Sequence, residues 1–265
     1  MTPGDLGRPL RAVVFGGAFF EPAALEFLAR LDEHPEVELL GVFCQSRGFG
    51  LRRRVADVAR RRKALAVPIL AAQAAAAALR FARAPGETLS RARRARRALR
   101  RAAAVPDLHA PAVRDRVRAL RPDLGLSYGS PLLRPELFEI PALGTLGIHH
   151  GKLPGYRGVK TTFWAVHNGE PEAGVTIQRL NAGLDTGEVV REGSVGTAGK
   201  RYGRVAAEAE ALGIELFVDA VLAVKRGEAR PRPQWDGVST MYRQPGARDF
   251  LRLWRRQFAG PRRGV

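Results

Sequence analysis

Short, mostly apolar runs punctuate the chain, separated by glycine or proline turns and stretches of helical spacing. Val13-Val14-Phe15 is the first such run; Gly16-Gly17 turns the chain, and Glu21-Pro22 opens a helix over Pro22 to Ala29 that carries Leu25, Phe27 and Leu28 inward. Val37 to Cys44 is the second run, and the intervening helix predicts that it pairs parallel to the first. Val113 to Leu120 has the spacing of a compact amphipathic helix, and Leu124 to Tyr128, Leu143 to Ile148 and Val175 to Leu180 read as buried strands. Phe163, Trp164 and Val166 fall on a helix that ends at the turn Asn168-Gly169-Glu170. Lys200 to Arg226 is a long amphipathic helix with Val205, Ala209, Leu212, Leu216 and Val221 among its apolar positions. Continuous apolar strands alternating with helices predict an α/β domain with a mostly parallel sheet flanked by helices.

Between these elements lie arginine-rich stretches of another character. Arg52 to Arg54 and Arg60 to Arg62 sit on a helical pattern that turns Val55, Val58 and Ala59 inward. Ala71 to Leu79 is nearly all alanine, Pro85-Gly86 breaks it, and a second basic helix follows a cap at Thr88 or Ser90, with Arg91, Arg93, Arg94, Arg96, Arg97, Arg100 and Arg101. Residues from about 71 to 104 are thus expected as an exposed basic helical insertion, with a phosphate-facing or partner-facing arm as the alternative. Asp107 to Pro111 returns the chain to the sheet edge, with His109 in a structural role. The catalytic domain is expected to span 1–226, and 227–265 to form a short tail anchored on it by Trp235, Met241, Tyr242 and Trp254.

Composition narrows the picture. A chain of 265 residues with 45% hydrophobic residues supports a proper core, and no apolar run reaches the ~20 residues that span a bilayer, so a cytoplasmic protein is expected. Cys44 is the single cysteine, which leaves neither a disulfide framework nor a thiolate zinc cluster. The net charge of +18 suits nucleic acid, but lysine occurs only at Lys63, Lys152, Lys160, Lys200 and Lys225. Abundant arginine and alanine favour a coding bias, with a surface that attracts an anionic small molecule as the alternative.

One region asks for chemistry. The strand ending at Ile148 delivers His149 to the point where Gly151, Pro154, Gly155 and Gly158 turn the chain away, and the later strand leads into a loop with Asp185 between Gly183 and Gly187. A carboxylate beside an imidazole holds its tautomer and favours the imidazolium, as in a tuned general acid or base. On spacing alone an ordinary strand-end histidine and turn aspartate are the commoner reading.

The string Gly144-Thr145-Leu146-Gly147-Ile148-His149-His150-Gly151-Lys152-Leu153-Pro154-Gly155-Tyr156-Arg157-Gly158, followed by Gly174-Val175-Thr176-Ile177 and Ala182-Gly183-Leu184-Asp185-Thr186-Gly187, resembles the formyltetrahydrofolate-dependent formyltransferases. That family includes methionyl-tRNA, glycinamide-ribonucleotide and sugar-nucleotide formyltransferases. The likeness takes in Ala12 to Gly17, Pro22 to Ala29, Val37 to Cys44, Arg47 to Gly50 and Pro122 to Glu136, about the first two hundred residues. It implies a Rossmann-like formyltransferase fold, although the full Gly-x-Gly-x-x-Gly pattern is absent and no nicotinamide site is expected.

Carried over residue by residue, the resemblance implies a catalytic His149 and Asp185 and places Gly147 where the family has an asparagine. That amide donates to the oxygen that turns negative when an amine attacks the formyl carbon, and losing one such donor costs about 3–4 kcal/mol. Gly147 is expected to leave room for a water or a substrate group. The formyl donor, formyltetrahydrofolate, would meet Tyr128, Gly129, Leu132 and Leu133 on one side and Asn181, Ala182, Gly183 and Leu184 on the other. No metal is implied. Gly147, His150, Arg157 and Lys160 are the substrate-binding candidates, with His150 facing away from His149 if the strand runs through both. Methionyl-tRNA formyltransferases carry a further β-barrel domain that grips tRNA, for which the short tail leaves no room. The expected acceptor is therefore a small-molecule amine, an amino sugar or natural-product amine, with tRNA disfavoured and the oligomeric state open. The replaced asparagine keeps alternatives in play: a different acyl transfer, a folate- or ligand-binding protein without turnover, or an arginine-driven RNA binder.

Overall fold

The computed structural model describes residues 7–17, 21–45, 85–234 and 237–258. The expected helix with Arg52 to Arg62, the Ala71 to Leu79 run, the Arg47 to Gly50 loop and Trp235 lie outside the described residues. The parallel core of the sheet is β1 (Leu10–Gly16), β2 (Val37–Gln45), β3 (Ala102–Val105), β4 (Leu124–Tyr128) and β5 (Thr145–His149). Next to β5 lie β7 (Glu172–Arg179) and β8 (Val189–Gly196), each antiparallel to its neighbour, giving the order β3-β2-β1-β4-β5-β7-β8.

Alternation along β1 shows how the sheet is sandwiched. Ala12 and Val14 enter one core with Leu126, Leu146 and Ile177, covered by α1 (Pro22–Glu33) and α7 (Tyr202–Lys225). Val13 and Phe15 enter the opposite core with Phe43, Leu133, Leu137 and Phe138, covered by α4 (Pro111–Leu120) and the short α5 (Pro135–Phe138). Both faces of the strand are thus buried, which is why its sequence is a solid apolar run. Among the described residues no helix is long and apolar enough to cross a membrane.

The described part of the basic segment departs from an exposed insertion. Residues 85–100 form α2 (Pro85–Arg94) and α3 (Arg96–Arg100), which lie on α1 with Ala95 and Ala98 fully buried. Their arginines meet the carboxylates of α1: Arg94 contacts Glu33 at 2.7 Å and Glu26 at 3.2 Å, and Arg97 and Arg101 reach Asp32 at 3.3 and 3.0 Å. Much of the positive charge here is neutralised within the fold. Ala102 to Val105 then forms edge strand β3 on β2, with Ala102 opposite Val42. Four small residues carry no strand signal of their own; they pair because β2 offers an open edge.

Of the expected tail anchors, Tyr242 packs on the domain, and Leu253 joins it. Between β5 and β7 come β6 (Arg157–Gly158) and α6 (Thr161–Asn168), and from the tail β9 (Met241–Tyr242) pairs with β6. Tyr242 stacks on Tyr156 with ring centroids 4.7 Å apart, and Arg243 O accepts from Trp164 Nε1 at 2.8 Å. The final helix α8 (Ala247–Phe258) inserts Leu253 beside Phe163 and Val205, whereas Met241 and Trp254 are each 57% exposed.

Asp123 ties β1 to β4 at the edge away from the histidine. Arg8 donates to both carboxylate oxygens at 2.7 and 2.8 Å, and the Arg11 amide donates at 2.9 Å. Burial works to raise the carboxyl's pKa, but the Arg8 fork and the Arg11 amide together hold it below the usual carboxylate range. A depressed carboxylate contributes stability that is complete above its unfolded pKa of about 3.9 and is lost as pH falls through the folded value. Asp123→Asn is therefore expected to flatten the acid limb of stability measured by urea unfolding between about pH 5 and about pH 2.

Candidate active site

Strand β5 places alternate side chains on opposite faces. Leu146 joins the core under α7, while Gly147 and His149 face the side of Leu180 and Ser127. Strand β7 runs antiparallel to β5, pairing Thr176 with His149 and Arg179 with Leu146. The chain therefore leaves β7 away from the histidine, and the loop 181–187 doubles back to bring Asp185 to it. His149, 7% exposed, has Nδ1 3.5 Å from Asp185 Oδ1 and Nε2 2.5 Å from Tyr156 O. Each ring nitrogen faces an acceptor oxygen; a neutral ring donates through one and a protonated ring through both. The sequence places the two candidates thirty-odd residues apart, and the fold brings them together.

Asp185 is held in turn. Its Oδ2 accepts from the Gly158 amide at 2.9 Å and its Oδ1 faces Gln178 Nε2 at 3.4 Å, while its backbone takes φ 53°. Gln178, buried on β7, also accepts the Gly187 amide at 3.1 Å, and Gln234 of the tail donates to Asp185 O and Gly187 O at 2.9 and 3.0 Å. Arg157 donates to Gln234 Oε1 at 2.7 Å, so this substrate candidate is engaged in the same framework. Neither glutamine shows this role in the sequence, since an isolated amide carries no periodicity.

The space expected at Gly147 is occupied. A Cβ built there would lie 2.7 Å from Leu180 Cδ2 and 3.8 Å from Ser127 Cβ, so Leu180 covers the glycine where room for a water or substrate group was expected. Leu180 follows β7 and packs with the Phe15 core, which draws its side chain over the flat strand. Gly147→Asn alone must push Leu180 aside and is expected to lower the melting temperature. Gly147→Asn with Leu180→Ala should recover it, as thermal unfolding of the two variants would show.

The remaining candidates divide by where their side chains go. The Tyr128 ring stacks on Phe27 at 4.6 Å and its hydroxyl donates to Glu210 of α7, so its backbone alone fronts the cleft. Leu133 is buried in the core, and Asn181 Oδ1 is used within its own loop by the Gly183 amide at 3.1 Å and Thr186 Oγ1 at 2.7 Å. Leu132 is 70% exposed and Leu184 46% exposed, one in each loop; Gly129, Ala182 and Gly183 are also exposed. Exposed leucines flanked by exposed loop backbone suit a planar ring whose edge carries donors and acceptors. Lys160 is exposed at the start of α6. His150 follows the strand's last residue and turns toward α7, its Nε2 3.3 Å from Glu210 Oε2. Burial pushes its imidazole below the usual histidine range, against the pull of Glu210.

Residues 26–216 match the family model described as formyl transferase. The chain belongs to the formyl transferase family. Among curated relatives of this formyl transferase domain, the methionyl-tRNA formyltransferase of Chloroflexus aggregans is 40% identical over 137 residues, 51% of this chain and 44% of that protein. This chain's match thus spans under half of that relative's length. In fold it is similar to glycinamide ribonucleotide transformylase 1 from Symbiobacterium toebii, with TM-score 0.59, 18% identity and coverage of 86% of this chain and 95% of that one. It is likewise similar to WlaRD, a sugar 3N-formyl transferase solved with dTDP and 5-N-formyl-THF, with TM-score 0.54, 15% identity and coverage of 89% and 70%.

Proposed function

We propose that this protein transfers a formyl group from formyltetrahydrofolate to the primary amine of a small molecule, and the observation that carries the reading is the buried His149–Asp185 pair at the carboxyl end of β5. In this reading His149 donates from Nε2 to the formyl oxygen as it gains negative charge, exchanging the Tyr156 carbonyl for the oxyanion. Asp185 fixes the ring at Nδ1 and stabilises the positive charge that grows there, and it helps take up the amine proton. Gly158, Gln178 and Gln234 hold Asp185 in place. The pteridine lies against Leu132 and Leu184, with the Gly129 backbone and the Gly183 carbonyl contributing to its edge. Membership of the formyl transferase family and the 5-N-formyl-THF in whose presence WlaRD was solved support the donor.

The acceptor is the finer part of the proposal. Sugar and glycinamide-ribonucleotide enzymes among the structural neighbours support a small molecule, and Lys160 offers an exposed cation for an anionic one. The 40% identity to a methionyl-tRNA formyltransferase favours an aminoacyl-tRNA as the second reading. Calorimetric titration with 5-formyltetrahydrofolate, followed by a screen of amino sugars and methionyl-tRNA as acceptors, tests both. Folate binding with formylation of an amino sugar supports the first; formylation of methionyl-tRNA alone supports the second; no folate binding by folded protein overturns both.

A further inference from the structure

Behind the catalytic histidine lies a second set of polar groups that the mechanism above leaves idle. Glu210, on α7, receives the Tyr128 hydroxyl on Oε1 and presents Oε2 to His150 Nε2 at 3.3 Å. Tyr128 stacks on Phe27 at 4.6 Å, and Phe27 stacks in turn on Phe217 at 4.8 Å, so the tyrosine is held in place and fixes the carboxylate. The Thr161 hydroxyl holds the backbone carbonyl of His150. Yet His150 Nε2 itself is buried and makes no hydrogen bond, because the carboxylate stands beside the ring nitrogen off its donor line. The side chains of His150 and Glu210 are 30% and 35% exposed, which opens the pair to solvent at the end of β5 that carries His149. A polar group arriving there meets the Glu210 carboxylate, and a turn of the imidazole ring brings the unused nitrogen to it.

These groups are matched to an ammonium. Glu210 supplies the countercharge, and a neutral imidazole supplies a proton acceptor within reach of the same nitrogen. The charged or titratable groups that face His150 are Glu210 from α7, Lys160 from the start of α6 and His149 from β5, with Glu21 near Tyr128. Lys160 and His149 oppose protonation of the ring, as burial does. We propose that Glu210 and His150, with Tyr128 as the positioning residue, form the receiving site for the acceptor amine, and that the acceptor is one whose amine is protonated at neutral pH.

The inference rests on the formyl-transfer reading and adds a step to it. The acceptor enters as R–NH3+ against Glu210. One N–H bond breaks, its proton moves to His150 Nε2, and the electron pair stays on nitrogen as R–NH2. That nitrogen then forms the C–N bond to the formyl carbon, and the bond from the formyl carbon to the folate nitrogen breaks. The proton released by the new amide nitrogen passes to the departing folate nitrogen, and His150 returns its proton to water. The products are the formamide, tetrahydrofolate and one proton.

Two amines of similar size separate this role from a structural one: 2-aminoethanol, protonated at neutral pH, and O-methylhydroxylamine, neutral there. The ratio of kcat/KM for the first over the second is expected to fall on the order of 10²-fold in His150→Gln. Glu210→Gln should raise KM for 2-aminoethanol. In the wild type, the rate with 2-aminoethanol should fall with acid as His150 protonates below the usual histidine range, and Glu210→Gln should move that limb further toward acid. Tyr128→Phe, which keeps the stacking, should give a smaller change of the same kind, and 5-formyltetrahydrofolate titration on each variant should show unchanged donor binding. An unchanged ratio in both His150→Gln and Glu210→Gln overturns the inference and leaves the proposed function standing. No transfer by the wild type to either amine, or to the acceptors screened above, overturns the proposed function and this inference with it.

Discussion

His149→Ala is expected to reduce formyl transfer by at least about 10³-fold while the affinity for 5-formyltetrahydrofolate stays within a few-fold of wild type. The size of the effect follows from Gly147. With no amide at that position and Leu180 over the glycine, His149 is the side-chain donor left on that face of β5 for the oxyanion. The ring also couples Asp185 to the site, so its removal takes away the donor and the charge behind it together. Donor binding is insulated because the folate contacts proposed above come from the loops around Leu132 and Leu184. Single-turnover kinetics with formyltetrahydrofolate, paired with calorimetry on the same preparation, checks both halves.

Gly187→Ala is expected to be as damaging by a different route. A Cβ at Gly187 would lie 1.7 Å from Arg179 O and 2.9 Å from Arg179 C, and both obstacles are backbone. The glycine stands beside the irregularity in the pairing of β7 with β8 at Ile177 and Gln178, where its amide is bonded to Gln178 and its carbonyl to Gln234. An added methyl must force the loop off β7, break those bonds and carry Asp185 away from His149. A loss of about 3 kcal/mol in urea unfolding, with formyl transfer near background, is the predicted outcome. Gly203→Ala, where a Cβ meets nothing within 4 Å in the first turn of α7, is the control and should leave both unchanged.

These two positions show what the sequence makes legible. His149 and Asp185 are visible because a buried strand and two glycine-rich turns single them out, and strands β1, β2, β4 and β5 are visible because burial on both faces writes a continuous apolar run. Strand direction is not written that way: β7 is buried on both faces from Ala173 to Gln178, as a parallel strand would be, yet it runs antiparallel, and only the returning loop explains how Asp185 reaches the histidine. Gln178 and Gln234 were illegible because their importance lies in what they touch, loop backbone far away in the chain. Leu180 reads as the last residue of a strand, and its position over Gly147 depends on the packing of the Phe15 core. The arginines of α2 and α3 pattern as a solvated basic face, but Glu26, Asp32 and Glu33 of α1 answer them from a distance that sequence spacing does not encode. The edge strand β3 was hidden among alanines.

The proposed chemistry has the His149–Asp185 pair move a formyl group from folate to an amine. Its most direct test is carbon-13 NMR of wild-type protein and His149→Ala supplied with 13C-formyl-labelled formyltetrahydrofolate and the acceptor panel. A labelled formamide resonance that forms with the wild type and is lost in His149→Ala is the predicted result. Equal formamide production by the two proteins, or a donor that binds the wild type and yields no formamide with any amine or methionyl-tRNA, would contradict it.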